Sequence, residues 1–240
     1  MDSTTTLRTI ALEHPATIRV FEHFQLDYCC GGNRPLSEIC AEKCIAAEVV
    51  LAALAEAVDQ KPAEEDLASA TSAELIRHIV QTHHAFIRSE LPRLQAMAER
   101  VASKHGPIHP EASFIQRNLA QLAEELLFHL NKEERILFPY IENLERCREE
   151  NAAPPAACFG SVESPIRQMI HEHEGAAHLL EEMRRATRGF MPWPGACPTT
   201  AGLYYGLKAF ETDLHRHVHL ENNLLFPRAI ALEQEALTAQ

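Results

Sequence analysis

The 11-residue stretch HLNKEERILFP at positions 129–139 recurs as HVHLENNLLFP at positions 217–227. Both copies follow the pattern His-x-x-x-Glu, then an aliphatic pair, then Phe-Pro. On a helix, residues four apart are separated by about 400° of rotation and roughly 6 Å of rise. The His and the Glu of each copy therefore point from one face, one turn apart, where both can bind the same metal ion. We call these stretches the first and the second motif.

Both motifs lie on segments with the apolar periodicity of amphipathic helices. Four segments show it: Ile76, Ile79, Val80, Ile87, Leu91 and Leu94; Ile115, Leu119, Leu122, Leu126, Ile136, Leu137 and Tyr140; Ile166, Met169, Ile170, Ala177 and Leu180; and Leu203, Leu207, Phe210, Leu214, Leu224 and Leu225. Strand signals are scarce, because alternating stretches are short and Asn-Gly and Asp-Gly turns are absent. The pattern predicts an all-α fold with a C-terminal antiparallel four-helix bundle.

Local signals indicate where these helices begin and end. Residues 71–74 read as a capping box, Ser164 before Pro165 favours a helix start, and Gly189 favours a stop. Pro92 lies inside the first stripe and predicts a kink or a short break. Residues 148–163 are typical of a loop.

The chain divides into two predicted domains. Residues 1–57 carry short helical patterns of their own and predict a small helical domain. The polar segment 58–71 is typical of a linker, and residues 72–240 form the bundle.

Composition narrows the function. Acidic residues outnumber basic ones by 34 to 22 in 240 residues, giving a formal net charge of −12, and no Lys/Arg-rich run occurs. Nucleic acid and membranes are therefore not expected as partners. No apolar run approaches the roughly 20 residues of a spanning helix.

The N-terminus lacks a secretion signal, and seven cysteines do not suggest a disulfide framework, so we expect a cytoplasmic protein. The 14 histidines point towards metal binding.

The motif residues His129, Glu133, His217 and Glu221 fall in phase with the apolar stripes, so all four should face the core. An ionised carboxylate there costs several kcal/mol unless it is paired or bound to metal. The alternative is that such histidines are solvated on ordinary helix surfaces. Two equivalent pairs in two halves of one bundle favour a shared metal centre.

The other two helices should supply the remaining ligands. In the third, periodicity places His173 inward and His171 to the side. In the first, it cannot choose between His83 and His84. The spacing from 84 to 173 is 89 residues, close to the motif spacing of 88, so we predict His84 and His173. His105 would lie about 31 Å from His84 on an unbroken helix and is a poor candidate.

The predicted ligands are therefore His84, His129, Glu133, His173, His217 and Glu221. Six protein ligands would saturate one metal. Two ions, each held by two histidines and bridged by both glutamates, would leave room for an oxo bridge and a small ligand. Mixed imidazole and carboxylate donors suit iron, whereas structural zinc sites are usually rich in thiolates. Glu-x-x-His, the ferritin-like signature, does not occur.

These residues resemble the hemerythrin-like di-iron proteins and, more narrowly, the iron-sulfur cluster repair proteins of the RIC or ScdA type. The resemblance covers nearly the whole chain. It rests on His84 seven residues before Leu91-Pro92, on both motifs, on Glu172-His173, and on the sequence Asp-Tyr-Cys29-Cys30-Gly-Gly, which is similar to that family's vicinal cysteine pair.

The resemblance implies a cytoplasmic, often dimeric protein with a non-haem di-iron centre. It implies repair of iron-sulfur clusters damaged by nitric oxide or oxidants, with the protein as an iron donor rather than a turnover enzyme. Damaged iron-sulfur proteins would be its partners, and NO or O₂ its small ligand. The competing hypotheses are a module that binds or senses O₂ or NO, and an oxidoreductase that reduces NO.

Cys29 and Cys30 bear on mechanism. Adjacent thiols in a Gly-flanked loop are expected to be accessible, and thiolates bind iron well. We hypothesise that they relay iron or electrons. The alternatives are an incidental buried pair, or a four-thiolate site completed by Cys40 and Cys44.

Overall fold

A computed structural model describes residues 1–59, 67–150, 152–153 and 157–238. Within these ranges the regular elements are helices, and the only other pairing is an isolated bridge between Thr6 and Pro35. The all-α prediction is therefore confirmed. Parts of the predicted linker 58–71 and of the predicted loop 148–163 lie outside the described residues. No helix in the described part of the chain is both long and apolar enough to cross a bilayer.

The N-terminal residues form four short helices: α1 (Leu7–Glu13), α2 (Ile18–Phe24), α3 (Leu36–Glu42) and α4 (Ala47–Asp59), with a 3₁₀ turn at Pro15–Thr17. Thr6 caps α1, because its side chain accepts a hydrogen bond from the Thr9 amide. The helices share one apolar core that includes Leu7, Ile10, Phe21, Tyr28, Leu36 and Leu54.

Four long helical runs follow. The first joins α5 (Ser72–His78), a π-helical turn (Ile79–His84) and α6 (Ala85–His105). The second joins α7 (Pro110–Lys132), a π-helical turn (Glu133–Leu137) and α8 (Phe138–Glu149). The third is α9 (Glu163–Ala186). The fourth joins α10 (Pro198–Leu220), a π-helical turn (Glu221–Leu225) and α11 (Phe226–Thr238).

Contacts divide the chain into two compact units. The smaller unit contains Met1–Thr71 and His215–Pro227, and the larger contains Ser72–Leu214 and Arg228–Gln240. Residues 215–227 lie within the predicted bundle range of 72–240, yet they group by their contacts with the N-terminal residues.

The larger unit is a bundle built on its apolar stripes. Helix α7 packs against α6 and α9. Helix α10 completes the arrangement, since the Phe210 ring stacks on Phe86 at 6.3 Å and Glu211 lies 3.4 Å from Arg184. A Cβ atom at Gly206 would lie 2.6 Å from Leu94, so glycine permits the close approach of α10 to α6.

Carboxylates from other helices cap two of the runs. Glu145 accepts hydrogen bonds from the Ser72 and Ala73 amides at the start of α5. Glu233 accepts from the Val162 amide at 2.9 Å, just before α9. Helix α9 begins at Glu163, slightly earlier than Ser164-Pro165 predicts, and ends three residues before Gly189, whose φ is +85°. Long-range caps of this kind leave no local sequence signal.

Two details differ from the stripe analysis. Helix α6 continues through Pro92, so the break expected there as one alternative is absent, and the irregularity lies instead at Ile79–His84. The second stripe placed Ile136 in the core, but Ile136 is 51% exposed and Leu137 is 2% exposed. The π-helical turn adds a residue to the turn and advances the buried face by one position.

Candidate metal centre

Glu133 is the centre of a buried polar cluster in the larger unit. Its side chain is fully buried, and it begins the π-helical turn of the second run. Its Oε2 lies 3.6 Å from His84 Nε2, and its Oε1 lies 3.2 Å from His129 Nε2. Neither oxygen accepts a hydrogen bond from any residue that the structure describes. A buried carboxylate in this state needs a cation to offset its desolvation.

His173 joins the same cluster from α9. Its Nε2 lies 3.0 Å from His129 Nε2, and ligand atoms of His129, Glu133 and His173 all lie within 4.8 Å of one another. Two nitrogens about 2.1 Å from one metal, at a right angle, would be about 3.0 Å apart. The pair therefore has the spacing of two neighbouring ligands.

Carboxylates orient two of these imidazoles. His129 Nδ1 donates to Glu172 at 2.7 Å, and His84 Nδ1 donates to Glu134 at 2.8 Å. With the proton on Nδ1, a neutral ring presents the lone pair of Nε2. In both rings that nitrogen faces Glu133. Carboxylate–His–metal arrangements fix the ring orientation of a ligand in this way.

The surroundings of both orienting carboxyl groups lower their pKa and so favour the ionised form. Partial burial opposes ionisation of Glu172, but hydrogen bonds from His129, Lys132 and Gln168 lower its pKa to about 2. For Glu134, burial again raises the pKa, and hydrogen bonds from His84 and Arg88 outweigh it, so the pKa is lowered. Each carboxylate therefore accepts from its histidine and favours the Nδ1–H form of the ring.

The second motif repeats the contact between His and Glu of the first motif, within the smaller unit. His217 and Glu221 are both fully buried, and His217 Nε2 lies 2.9 Å from Glu221 Oε1. Glu221 begins a π-helical turn, as Glu133 does. The structure thus places His84, His129, Glu133 and His173 together in one unit, and His217 with Glu221 in the other.

The proline of each motif accounts for the π-helical turns. A proline inside an α-helix lacks the amide that bonds four residues back, and its ring clashes with that carbonyl. Pro139 and Pro227 follow the turns by two residues. At each site the preceding Phe amide bonds five residues back instead, to Glu133 or to Glu221. Widened turns of this type are frequent at functional sites.

The two ambiguous histidine pairs have different environments. His84 faces Glu133, whereas its neighbour His83 has its Nδ1 3.0 Å from Asp213 Oδ1. On α9 the His173 side chain is buried, whereas His171 is 80% exposed beside Glu174.

The cysteine pair lies in a turn organised by Asp27. The Asp27 carboxylate accepts hydrogen bonds from the Cys29, Cys30 and Gly31 amides. Cys29 is 4% exposed, so the expectation of two accessible thiols is wrong for Cys29, while Cys30 is partly exposed. The hydrogen bond with Cys30, then burial, raises the pKa of the Cys29 thiol well above its ordinary value. The two sulfurs are 3.9 Å apart.

The four-thiolate alternative gains no support from the geometry. Cys40 packs in the N-terminal core and Cys44 is exposed. Among the described residues, the group that includes Cys29 and Cys30 and could hold a metal takes Asp27 as its third member.

Sequence reasoning missed Glu134. It follows Glu133 directly in the chain and lies outside the apolar stripe, so periodicity gives no reason to select it. Glu172 adjoins His173 in the sequence, but adjacency alone does not predict a site residue. The feature that distinguishes Glu172 is its ion pair with Lys132. This pair forms only when α7 packs against α9, so the sequence alone does not reveal it.

Comparison with known proteins agrees with this geometry. Residues 75–229 match the hemerythrin HHE cation-binding domain, and residues 3–58 match the ScdA N-terminal domain, a domain of unknown function (DUF542). The chain is 37% identical over 227 residues to the iron-sulfur cluster repair protein YtfE of Escherichia coli O157:H7, covering 95% of this chain and 97% of that protein. The YtfE proteins of E. coli O8 and of E. coli K12 match to the same extent. The chain therefore belongs to the hemerythrin HHE cation-binding family, as its two motifs predict.

Proposed function

We propose that this protein holds a di-iron centre and repairs damaged iron-sulfur clusters by donating iron. The ligands are His84, His129, Glu133, His173, His217 and Glu221. The relatives named for iron-sulfur cluster repair match nearly the full length of the chain, including both domains.

The carboxylate of Glu133 carries this proposal. It is fully buried, accepts no hydrogen bond from the described residues, and has two imidazole Nε2 atoms aimed at it. An uncompensated carboxylate of this kind costs several kcal/mol. Imidazole and carboxylate donors, with no thiolate, fit iron.

The direction of the two Glu133 oxygens supports two metal positions. Oε2 faces His84, whereas Oε1 faces His129 and, beyond it, His173. A carboxylate whose oxygens face separate histidines is placed to bridge. The second motif would supply one more histidine and one more carboxylate, so that four histidines and two glutamates would hold the two ions. When bound, an oxo-bridged iron pair supplies exchangeable iron and an open position for NO or O₂.

A surface cavity beside α7 and α9 supports iron transfer. It is lined by Glu125, Glu172 and His171, among other residues. Glu172 also contacts His129 directly, so this one carboxylate reaches both the buried cluster and the cavity. In this proposal Glu125 and Glu172 accept iron on its way out.

The N-terminal cysteines take a second role. Cys30 is partly exposed and adjoins the protonated, buried Cys29. Cys30 is therefore the thiol that meets a damaged cluster, and Cys29 supports it. Converting both to serine should leave the iron content intact and abolish repair. Unchanged repair activity would refute the relay.

The protein acts in the cytoplasm, as a homodimer, on iron-sulfur proteins damaged by NO or oxidants. These three statements rest on the family resemblance. Sedimentation of the iron-loaded protein tests the oligomeric state directly.

Anaerobic reconstitution with ferrous salt tests the centre itself. We expect two irons per chain and the Mössbauer signature of a coupled pair. His173→Asn should lose iron, whereas the matched variant His171→Asn should retain it. The loaded protein should then restore a purified [4Fe–4S] protein damaged by NO. Reversible absorption changes with O₂ or NO, without transfer, would instead favour a gas-binding module, and NO consumption with an electron donor would favour a reductase.

A further inference from the structure

The second motif has an outer face, which carries His219 and Asn223. In the smaller unit this face contacts the turn at residues 28–32, which contains Cys29 and Cys30. Asn223 Nδ2 lies 3.2 Å from the Tyr28 carbonyl oxygen and 2.9 Å from His219 Nδ1. A carbonyl can only accept, so the amide of Asn223 must present its nitrogen there. Its second hydrogen then goes to His219 Nδ1. One amide group thus joins the main chain before Cys29 to the motif.

Packing and burial strengthen this contact. The Tyr28 ring is 1% exposed, belongs to the N-terminal core, and meets the His219 ring edge-on at 5.3 Å. His219 and Asn223 are themselves 3% and 6% exposed. Buried polar groups of this kind are costly unless their hydrogen bonds are made.

Arg8 joins the same two segments. Its amide donates to the Gly32 carbonyl at 2.7 Å, and its guanidinium donates to the Asn223 carbonyl at 3.3 Å. In a regular helix the amide of residue 227 would bond to that carbonyl, but residue 227 is proline. Pro227 therefore cannot donate to the Asn223 carbonyl, which accepts a hydrogen bond from Arg8 of the N-terminal segment.

The turn around the two cysteines is tightly closed. A Cβ atom at Gly32 would lie 2.4 Å from the Tyr28 carbonyl oxygen, so the chain closes tightly around the two cysteines. Asp27 holds the intervening amides. We therefore expect a displacement of the Tyr28 carbonyl to displace Cys29 and Cys30 as well.

We propose that Asn223 and His219 are positioning residues for the vicinal cysteines. They hold the turn 28–32 on the helical segment that carries His217 and Glu221, so that metal binding by those two ligands restrains the cysteines. The restraint by metal rests on the proposed di-iron centre, whereas the positioning does not.

Alkylation of the full chain by iodoacetamide, followed by mass spectrometry, tests both parts. In the metal-free protein, Asn223→Ala should raise the alkylation rate of the buried Cys29 by roughly tenfold, because the turn opens. Asn131→Ala is the matched control, since Asn131 occupies the position of His219 in the first motif and is exposed. A Cys29 rate within about twofold of the parent in Asn223→Ala would overturn the positioning.

A second variant guards against misfolding. Asn223→Asp keeps the size of the side chain but cannot donate to the Tyr28 carbonyl, so it should expose Cys29 as Asn223→Ala does. If Asn223→Ala does not fold, Asn223→Asp decides by the same criterion, with folding checked by thermal melting.

The metal-dependent part needs iron-loaded samples. Iron should slow Cys29 alkylation in the parent and in Asn131→Ala by about threefold, and should have no effect in Asn223→Ala at equal iron content. An equal response in Asn223→Ala, or no response in a parent that has bound iron, would overturn the coupling. A parent that binds no iron contradicts the proposed function instead, and the metal-free comparison still decides the positioning.

Discussion

The two motif-bearing helices are close copies on their inner faces and differ on their outer faces. Helices α7 and α10 begin at Pro110 and Pro198, each spans 23 residues, and each leads into a five-residue π-helical turn. In both, His and Glu are buried. On the outer face, Asn131 and Arg135 of the first motif are exposed, whereas His219 and Asn223 of the second are buried against Tyr28.

This difference shows that the inner and the outer faces of the motif are subject to different requirements. In the proposed di-iron centre, metal chemistry would constrain the inner residues in the same way in both copies, because the centre would set the ligand type and spacing. The outer residues are constrained only by what covers them. The outer face of the first motif can therefore be exposed to solvent, while that of the second motif contacts the turn at residues 28–32.

The largest expected effect comes from the two buried glutamates, and it tests whether the inner faces of the two motifs have equivalent roles. Glu133→Ala and Glu221→Ala should each abolish binding of the iron pair, because each removes a shared ligand. Iron per chain after anaerobic reconstitution measures this, with the exposed Glu142→Ala as the control. Full retention by one variant and loss by the other would show that only one motif bridges.

A second readout separates a ligand from a core residue. The Glu133 carboxylate accepts no hydrogen bond from the described residues. Its removal should therefore not lower the urea midpoint of the metal-free protein, since a buried charge is relieved. A large loss of stability would mean that Glu133 serves the core instead.

The next effect concerns the carboxylates behind the first motif and its neighbour. Glu172→Gln and Glu134→Gln should each weaken metal binding by about 10- to 100-fold, because the rings of His129 and His84 lose their orienting anion. Competition with a chelator measures the affinity. The exposed Glu174→Gln on α9 is the control, and equal affinity in all three variants would contradict the assignment.

Periodicity was sufficient to predict the fold and the burial of four side chains, namely His129, Glu133, His217 and Glu221. It succeeds because a four-helix bundle buries one stripe per helix, so a His or Glu in phase with that stripe must face the core. It failed at Ile136, because a π-helical turn adds one residue and so shifts which positions face the core. A regular period of 3.6 residues does not include this shift.

Contacts between distant segments could not be predicted in this way. Glu134 and Glu172 act through histidines 50 and 43 residues away in the chain. The burial of Cys29 depends on the packing of Tyr28 against the N-terminal core and His219, whereas a Gly-flanked Cys pair alone indicates an open loop. Each of these features arises from tertiary packing and not from local propensity.

A third prediction compares how the two helices begin. The residue before α7 is His109, and the equivalent residue before α10 is Cys197. Hydrogen bonds from the Thr200 side chain and amide, and then from His105, lower the pKa of Cys197 to about 6. Its thiolate fraction should therefore rise about tenfold between about pH 5 and pH 7 and then level off.

The alkylation rate of Cys197 against pH checks this, with the exposed Cys158 as the reference thiol in the same chain. Thr200→Val removes the hydroxyl donor and should move the midpoint upward. A rate that keeps rising by about tenfold per pH unit above pH 7 would contradict the lowered pKa.

The smallest effect concerns the energy of the outer faces. Arg216 makes two hydrogen bonds to Glu22 of α2, at 2.6 and 3.0 Å, but its side chain is 41% exposed. Solvent screening limits such a pair, so Arg216→Ala should cost about 1 kcal/mol of unfolding free energy, and less at high salt. Urea unfolding at two ionic strengths measures the loss, with the exposed Arg135→Ala of the first motif as the control. Equal midpoints for the two variants would mean that the ion pair adds nothing to the buried contacts of His219 and Asn223 with the N-terminal segment.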